Sequence, residues 1–240
     1  MNPPLPSGPD VAGLERLVGH RFSDPSLGFT ALSPSRPGFS RLEFVGDAVL
    51  GLSVISAAIA HSIPHRTAIR TMSNDHLDAI FDRTFAHLTP VRTGDIVEAT
   101  IGALFLDAGF EVAARAAVTV ALGEVSLSVH SAAPTPPEHR DACWIGAQTL
   151  STVVAAHLVE TRPEARASWF SETRSSVLAR PRLARIARES RLTEHDPGAG
   201  PRALAAASDD LEARVGNEFL RAGWTGAVQT CSTLRVLPRS

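Results

Sequence analysis

The sequence has no lysine and no tyrosine, and it contains only 2 cysteines. Cys143 and Cys231 are too few and too far apart for a disulfide framework or a zinc site, so we expect reduced thiols and a cytoplasmic location. Every fixed positive side-chain charge is arginine, and the formal net charge is -2. This balance is not typical of a nucleic-acid-binding protein, so binding of any polyanion would require a local arginine patch or bound metal.

We expect neither a secretory leader nor a membrane-spanning segment, because the first ten residues have no basic or apolar stretch and the apolar runs are short. The longest apolar run, residues 48–60, is short and contains Ser53 and Ser56. Alternation of apolar and polar residues, which is typical of half-buried strands, is absent. With 44% hydrophobic and 5% aromatic residues, the composition predicts an all-α fold and no membrane partner.

Helical periodicity, capping residues and Gly or Pro breaks divide the chain into helices and loops. The predicted helices span residues 10–18, 26–32, 40–61, 73–85, 95–107, 111–122, 142–159, 169–191 with a restart or kink at Pro181, and 208–222. Residues 1–9 are predicted to be a disordered tail, 126–141 a linker, 196–201 a loop and 231–240 a second tail.

The second half of the sequence repeats three motifs of the first half in the same order. Residues 44–50 (FVGDAVL) are paralleled by 144–150 (WIGAQTL), and residues 95–102 (DIVEATIG) by 209–216 (DDLEARVG). Between them, Leu77 and Ile80 are paralleled by Leu183 and Ile186. Helices can resemble one another by chance, but three matches in order favour a duplication, with one domain at 10–125 and a repeat at 142–230.

Two pairs of acids have helical spacing. Glu43 and Asp47 are four residues apart, and Asp95 and Glu98 are three apart, so each pair leaves one face of a helix. The neighbouring residues are mostly apolar, and burying carboxylates among them is unfavourable unless a cation compensates the charge. Mg²⁺ does so with oxygen ligands. The alternative is that these acids only stabilise the first turns of their helices, where negative charge is favourable.

A family resemblance bears on this choice. Residues 41–50 (RLEFVGDAVL) resemble the signature helix of the ribonuclease III family, and residues 95–110 (DIVEATIGALFLDAGF) are similar to its second acidic helix. Ser73, Asn74 and Leu77 resemble the segment between these helices, and residues 14–32 resemble the opening helices of the family. The resemblance therefore covers about residues 11–120.

The resemblance implies an all-helical endonuclease domain that cuts double-stranded or structured RNA. It implies that Glu43, Asp47, Asp95 and Glu98 are the catalytic acids and hold Mg²⁺, with Mn²⁺ as a substitute. Members of the family act as dimers, so a duplicated chain is expected to form an intramolecular pseudo-dimer, and a homodimer is the alternative.

The repeat has lost part of this acidic set. Cys143 stands at the position of Glu43 and Ala147 at that of Asp47, whereas Asp209 and Glu212 retain the other two acids. We therefore expect a degenerate second site and one live site per chain.

A run of arginines at helical spacing is the candidate for RNA contact, because arginine binds phosphates with two parallel hydrogen bonds. Its members are Arg180, Arg182, Arg185 and Arg188. A solvated amphipathic helix is the alternative interpretation.

A non-catalytic function remains open. The chain has Phe39 and Ser40 where the family usually has an Asn-Glu pair, and the connection between Asp47 and Asp95 is shorter than usual. Together with the negative net charge, these departures favour a scaffold that binds structured RNA or a protein partner without cutting.

Overall fold

The fold was analysed in a computed structural model that describes residues 10–84, 93–123 and 138–238. Every regular element in these ranges is helical, so the prediction of an all-α fold is confirmed. The predicted tail at residues 1–9 and most of the predicted linker lie outside the described residues.

The described chain forms eleven α-helices and one short 3₁₀ turn, Pro197–Ala199. The helices are α1 Val11–Val18, α2 Pro25–Ala31, α3 Phe39–Ala60, α4 His65–Thr71, α5 Asn74–Thr84, α6 Thr93–Ala108, α7 Phe110–Leu122, α8 His139–Thr161, α9 Ala167–Val177, α10 Arg180–Glu189 and α11 Pro201–Thr233.

These helices fall into two compact units. The first unit contains the described residues of 1–54 and 64–127, and the second contains those of 55–63 and 128–240. In the first unit, α6 packs against α2, α5 and α7. In the second unit, α11 packs against α8 and α10. Apart from residues 55–63, the boundary between the two units lies near residue 127. The duplication and the predicted domain limits stay predictions.

The structure differs from the predicted helices at several boundaries. Helix α4 was not predicted, because its seven residues are too short for clear periodicity. Helix α8 begins at His139, inside the predicted linker, and α11 continues through Thr233, inside the predicted second tail. The predicted end of that helix at residue 222 instead marks a kink at Gly223, whose φ of 66° lies in the left-handed region.

Two helices are long and apolar enough to cross a bilayer by length and composition. They are α3 and α8, and 78% and 67% of their most apolar stretches are buried within the protein. Such burial is the pattern of core helices.

Both ends of α6 are held by carboxylates. At its start, the Asp78 side chain of α5 accepts hydrogen bonds from the Thr93 hydroxyl and the Gly94 backbone N–H. At its end, Asp107 accepts backbone N–H bonds from Ser23 at 3.0 Å and Asp24 at 2.9 Å. Asp78 provides an acceptor for an unpaired backbone N–H at the start of α6, and Asp107 fixes the loop at Ser23 and Asp24 against its end. Together these contacts position both ends of α6.

Asp107 is almost fully buried, with a side-chain exposure of 2%, and its Oδ2 lies 3.2 Å from His20 Nε2. Burial alone would raise the pKa of this carboxyl. The backbone N–H groups of Ser23 and Asp24, with His20, outweigh that effect and hold the pKa below its ordinary value.

Helices α3 and α6 approach so closely that their backbones touch. A Cβ atom on Gly46 would lie 1.8 Å from the Glu98 carbonyl oxygen, and one on Gly102 would lie 2.0 Å from the Leu42 carbonyl oxygen. Only glycine fits at these two positions, because the neighbouring atoms belong to the backbone and cannot rotate away.

The same kind of contact occurs in the second unit, between α8 and α11. A Cβ atom on Gly146 would lie 1.7 Å from the Glu212 carbonyl oxygen, and one on Gly216 would lie 2.1 Å from the Ala142 carbonyl oxygen. When the two halves of the sequence are aligned on the repeated motifs, Gly146 corresponds to Gly46 and Gly216 to Gly102. In the same alignment, Glu212 corresponds to Glu98 and Ala142 to Leu42.

We expect Gly46→Ala to destabilise the protein by about 3 kcal/mol or more, because the added methyl group meets backbone that can move only by separating α3 from α6. Gly198→Ala is the control, since its Cβ would meet only ordinary contacts of 3.4 Å or more and should change stability by less than about 0.5 kcal/mol. Urea unfolding followed by circular dichroism measures both changes. Equal stability of the two variants would contradict the close helix contact.

We expect Asp107→Asn to lower the free energy of unfolding by roughly 1–3 kcal/mol at pH 7, because the backbone N–H groups of Ser23 and Asp24 lose a charged acceptor. A folded pKa below the unfolded value gives stability that is present above about pH 4 and is lost as the pH falls through the folded pKa. The deficit of Asp107→Asn should therefore shrink in acid. The exposed Asp82→Asn variant is the control, and a deficit that does not change with pH would refute the assignment.

Candidate metal centre

Three carboxylates of the first unit lie together where α3 contacts α6. Ligand oxygens of Glu43, Asp95 and Glu98 all lie within 4.8 Å of one another, and all three side chains are half-buried. The contact at Gly46 explains this proximity, because it sets the turn that carries Glu43 beside the first turns of α6. Oxygen ligands at this spacing suit a hard divalent cation such as Mg²⁺.

Asp47, the fourth predicted acid, lies one turn after Glu43 on α3 and is exposed. It is outside the group that could share one ion, but its charge acts on Glu98. The structure therefore brings three of the four predicted acids to one point and leaves Asp47 at its border. Their role as metal ligands stays a prediction.

Glu98 lies in a strongly perturbing environment. Burial raises its pKa, and the nearby charges of Asp47, Glu43 and Asp95 raise it further, to about 8. A carboxyl group with this pKa is largely protonated at neutral pH unless a cation compensates the surrounding negative charge.

The corresponding place in the second unit has different chemistry. The Cys143 thiol donates to the Asp209 carbonyl oxygen at 3.3 Å, and its Sγ lies 3.5 Å from His139 Nε2. Burial and the charges of Asp209, Glu212 and Asp210 raise the pKa of Cys143 to about 11, so it is a thiol at neutral pH. Ala147 offers no ligand atom.

Glu212, like Glu98, has a raised pKa. Burial and the charge of Asp209 raise its pKa to about 7, whereas the Arg180 guanidinium and a hydrogen bond from Ser208 lower it. The Ser208 hydroxyl lies 3.5 Å from Glu212 Oε1. Arg180 thus contributes positive charge beside Glu212 in the second unit.

The four predicted RNA-binding arginines have different surroundings. Arg180 acts on Glu212, and Arg188 donates to the Glu194 carbonyl oxygen at 3.1 Å. Arg182 and Arg185 line a common cleft. The four arginines therefore have regular helical spacing in the sequence, but in the structure they have different partners, and only Arg182 and Arg185 line the cleft.

Three residues that matter in the described structure were not predicted from the sequence. Asp78 and Asp107 position α6 through contacts with residues distant in sequence, and Arg235 joins the arginine cleft from the end of α11. Asp107 stands in the quoted motif at residues 95–110, which is the one signal that could have drawn attention to it.

No family model matches the chain. Several curated proteins named Ribonuclease 3 are similar to it, and two of them illustrate the extent. The protein of Bradyrhizobium diazoefficiens is 33% identical over an alignment of 135 residues that covers 43% of this chain and 54% of the relative. That of Nitrobacter winogradskyi is 34% identical over 134 residues, with 43% and 50% covered. The chain spans about half the length of the curated relatives it matches.

In the absence of divalent metal, we expect the wild-type protein to lose stability as the pH rises from about 4.5 to about 8. Within this range the unfolded Glu98 carboxyl releases its proton, whereas the folded one retains it, so stability falls with pH. Glu98→Gln removes the Glu98 contribution to this dependence and should be roughly 2–4 kcal/mol more stable than wild type above pH 8.

Urea unfolding in EDTA from pH 5 to pH 9 measures this difference. Glu111→Gln is the matched control, since Glu111 is exposed in the first turn of α7 and should give the wild-type profile. A Glu98→Gln profile parallel to that of wild type would show that Glu98 is not perturbed.

Proposed function

Because this chain is a relative of the ribonuclease III family, as the sequence resemblance predicted, we propose that it is a divalent-metal-dependent endoribonuclease. Its substrate in this proposal is double-stranded or structured RNA, in which it hydrolyses backbone phosphodiester bonds. The observation that carries the proposal is the carboxylate cluster of Glu43, Asp95 and Glu98, with Asp47 at its border.

The chemistry of the donor set fits Mg²⁺, with Mn²⁺ as a substitute. Three oxygen ligands within 4.8 Å can share one small cation, and Asp47 is close enough to add charge. A bound divalent cation would supply Lewis-acid polarisation of a phosphoryl oxygen and lower the pKa of water. Glu98 holds a proton at neutral pH in the metal-free protein, so loading of the site is coupled to release of that proton.

We further propose that the second unit is a degenerate repeat and that each chain has one live site. The matched backbone contacts at Gly46 and Gly146 support a common origin of the two helix pairs. The thiol of Cys143 and the methyl group of Ala147 support the loss of metal binding in the repeat. A pseudo-dimer with one live site should nick one strand per binding event.

A cytoplasmic location belongs to the same proposal. Both Cys143 and Cys231 are free, which is the usual state of thiols in a reducing compartment. Burial raises the pKa of the Cys231 thiol to about 12, so this cysteine stays protonated and unreactive inside the second unit.

The second candidate function is a ribonuclease III-like scaffold that binds structured RNA or a protein partner without cutting it. It is favoured by the second unit, in which Cys143 and Ala147 replace two acids of the first. The two candidates differ in one measurable property, which is metal-dependent cleavage.

The test is cleavage of an RNA duplex that carries a different label on each strand, with Mg²⁺, Mn²⁺ or EDTA. We expect cuts only with metal, and we expect Glu98→Gln to reduce the rate at least about a thousandfold, because one of three clustered ligands is lost. Glu212→Gln is the matched control, since it is the counterpart in the second unit and should retain the wild-type rate.

Binding without cleavage in both metals would refute the enzyme and favour the scaffold. Loss of cleavage in Glu212→Gln would refute the single live site. Light scattering separates the two assemblies, since a monomer that nicks one strand supports the pseudo-dimer and a dimer that cuts both strands supports pairing of two chains.

A further inference from the structure

A large cleft in the second unit is lined by positive charge. It has a volume of about 1150 Å³ and lies between α10 and the end of α11, with His157 of α8 at one side. Arg182 and Arg185 of α10 and Arg235 after α11 line it, together with the acid Glu189. Ser232 and Thr233 line the same wall.

Arg182 is fixed in position and only partly satisfied. Its Nη2 donates to the Val236 carbonyl oxygen at 2.9 Å, which ties α10 to the chain after α11. Its Nε is buried and has no hydrogen-bond partner within the part of the chain that the structure describes. Arg182 is half-buried and lines the cleft, so its positive charge is held at the cleft wall by the bond to Val236.

Arg235 has an unusual backbone. Its φ is 57°, in the left-handed region, and the Val236 N–H bonds to the Cys231 carbonyl oxygen across it at 3.0 Å, which ends α11. Glycine is the usual residue at such a position, because a side chain is sterically disfavoured there. Here the position carries an exposed arginine that lines the cleft.

The charges in the cleft do not cancel. Glu189 accepts a hydrogen bond from Arg185 at 2.8 Å and neutralises one arginine. The remaining two arginines leave an excess of positive charge in a chain whose formal net charge is -2. Arginine donors in a fixed arrangement match the oxygens of a phosphate group.

We propose that this cleft binds phosphate groups of an RNA backbone and thereby holds RNA on the second unit. The choice of RNA as the ligand rests on the proposed function. Recognition of a phosphate anion rests on the arginines of the cleft alone. A small free polyphosphate has the same chemistry, so the experiment includes tripolyphosphate as a separate probe.

The test compares Arg235→Gly with Arg191→Gly. Arg191 ends α10 with the same backbone, at φ 56° and with an N–H bond from Leu192 to the Ala187 carbonyl oxygen, but it does not line the cleft. Both variants remove one arginine, and both place glycine where the backbone favours it, so neither should lower the melting temperature.

Fluorescence anisotropy in EDTA with a labelled RNA duplex of about 20 base pairs reports binding without cleavage. We expect Arg235→Gly to weaken binding roughly 5- to 20-fold and to reduce the salt dependence by about one phosphate contact. Arg191→Gly should weaken it about twofold or less, and Glu189→Gln should strengthen it, because the cleft gains positive charge.

Equal weakening by Arg235→Gly and Arg191→Gly would overturn the proposal, as would no weakening by either. Weaker tripolyphosphate binding by Arg235→Gly with unchanged RNA binding would overturn the assignment of RNA. The result does not depend on catalysis, since a protein that never cleaves RNA can still give the expected difference in binding. Conversely, cleavage that needs Glu98 can persist at saturating RNA when the cleft is disabled.

Discussion

The direct backbone contact between α3 and α6 is the constraint on which the candidate metal centre depends. Gly46 and Gly102 let the two helices approach until backbone meets backbone, and this distance brings Glu43 beside Asp95 and Glu98. The contact also creates the electrostatic problem of the site, because it crowds carboxylates into partly buried space and raises the pKa of Glu98 to about 8. A looser helix pair would separate the acids and relieve the repulsion, but it would lose the spacing that a divalent cation needs.

The second unit has the same close helix contact as the first but different side chains beside it. It has the same glycine contact, with Gly146 and Gly216 against the backbone of α11 and α8, but Cys143 and Ala147 stand where the first unit has Glu43 and Asp47. The close helix contact is therefore compatible with either set of side chains. What changes is how charge is balanced: Arg180 and Ser208 lower the pKa of Glu212, whereas the three charged groups that act on Glu98 are all carboxylates.

The sequence predicts features that depend on local spacing. Glu43 with Asp47, and Asp95 with Glu98, follow helical periodicity, and glycines inside apolar helices indicate close packing. Features that depend on contacts distant in the chain were not accessible. Asp78 and Asp107 hold the ends of α6 through partners on other elements, and local spacing does not reveal these partners, although Asp107 lies in the motif at residues 95–110. The arginines of α10 illustrate the same limit, since the fold divides them and adds Arg235 from a segment predicted to be a tail.

Net charge conceals how the charge of this chain is distributed. The formal value of -2 argues against nucleic-acid binding when the chain is treated as uniform. The described structure instead concentrates carboxylates in the cluster of the first unit and arginines in the cleft of the second. A phosphate backbone is repelled by the first arrangement until a cation neutralises it and is attracted by the second without one. In the proposed enzyme, metal therefore serves RNA binding as well as hydrolysis, and the arginine cleft supplies the part of RNA affinity that remains when metal is absent.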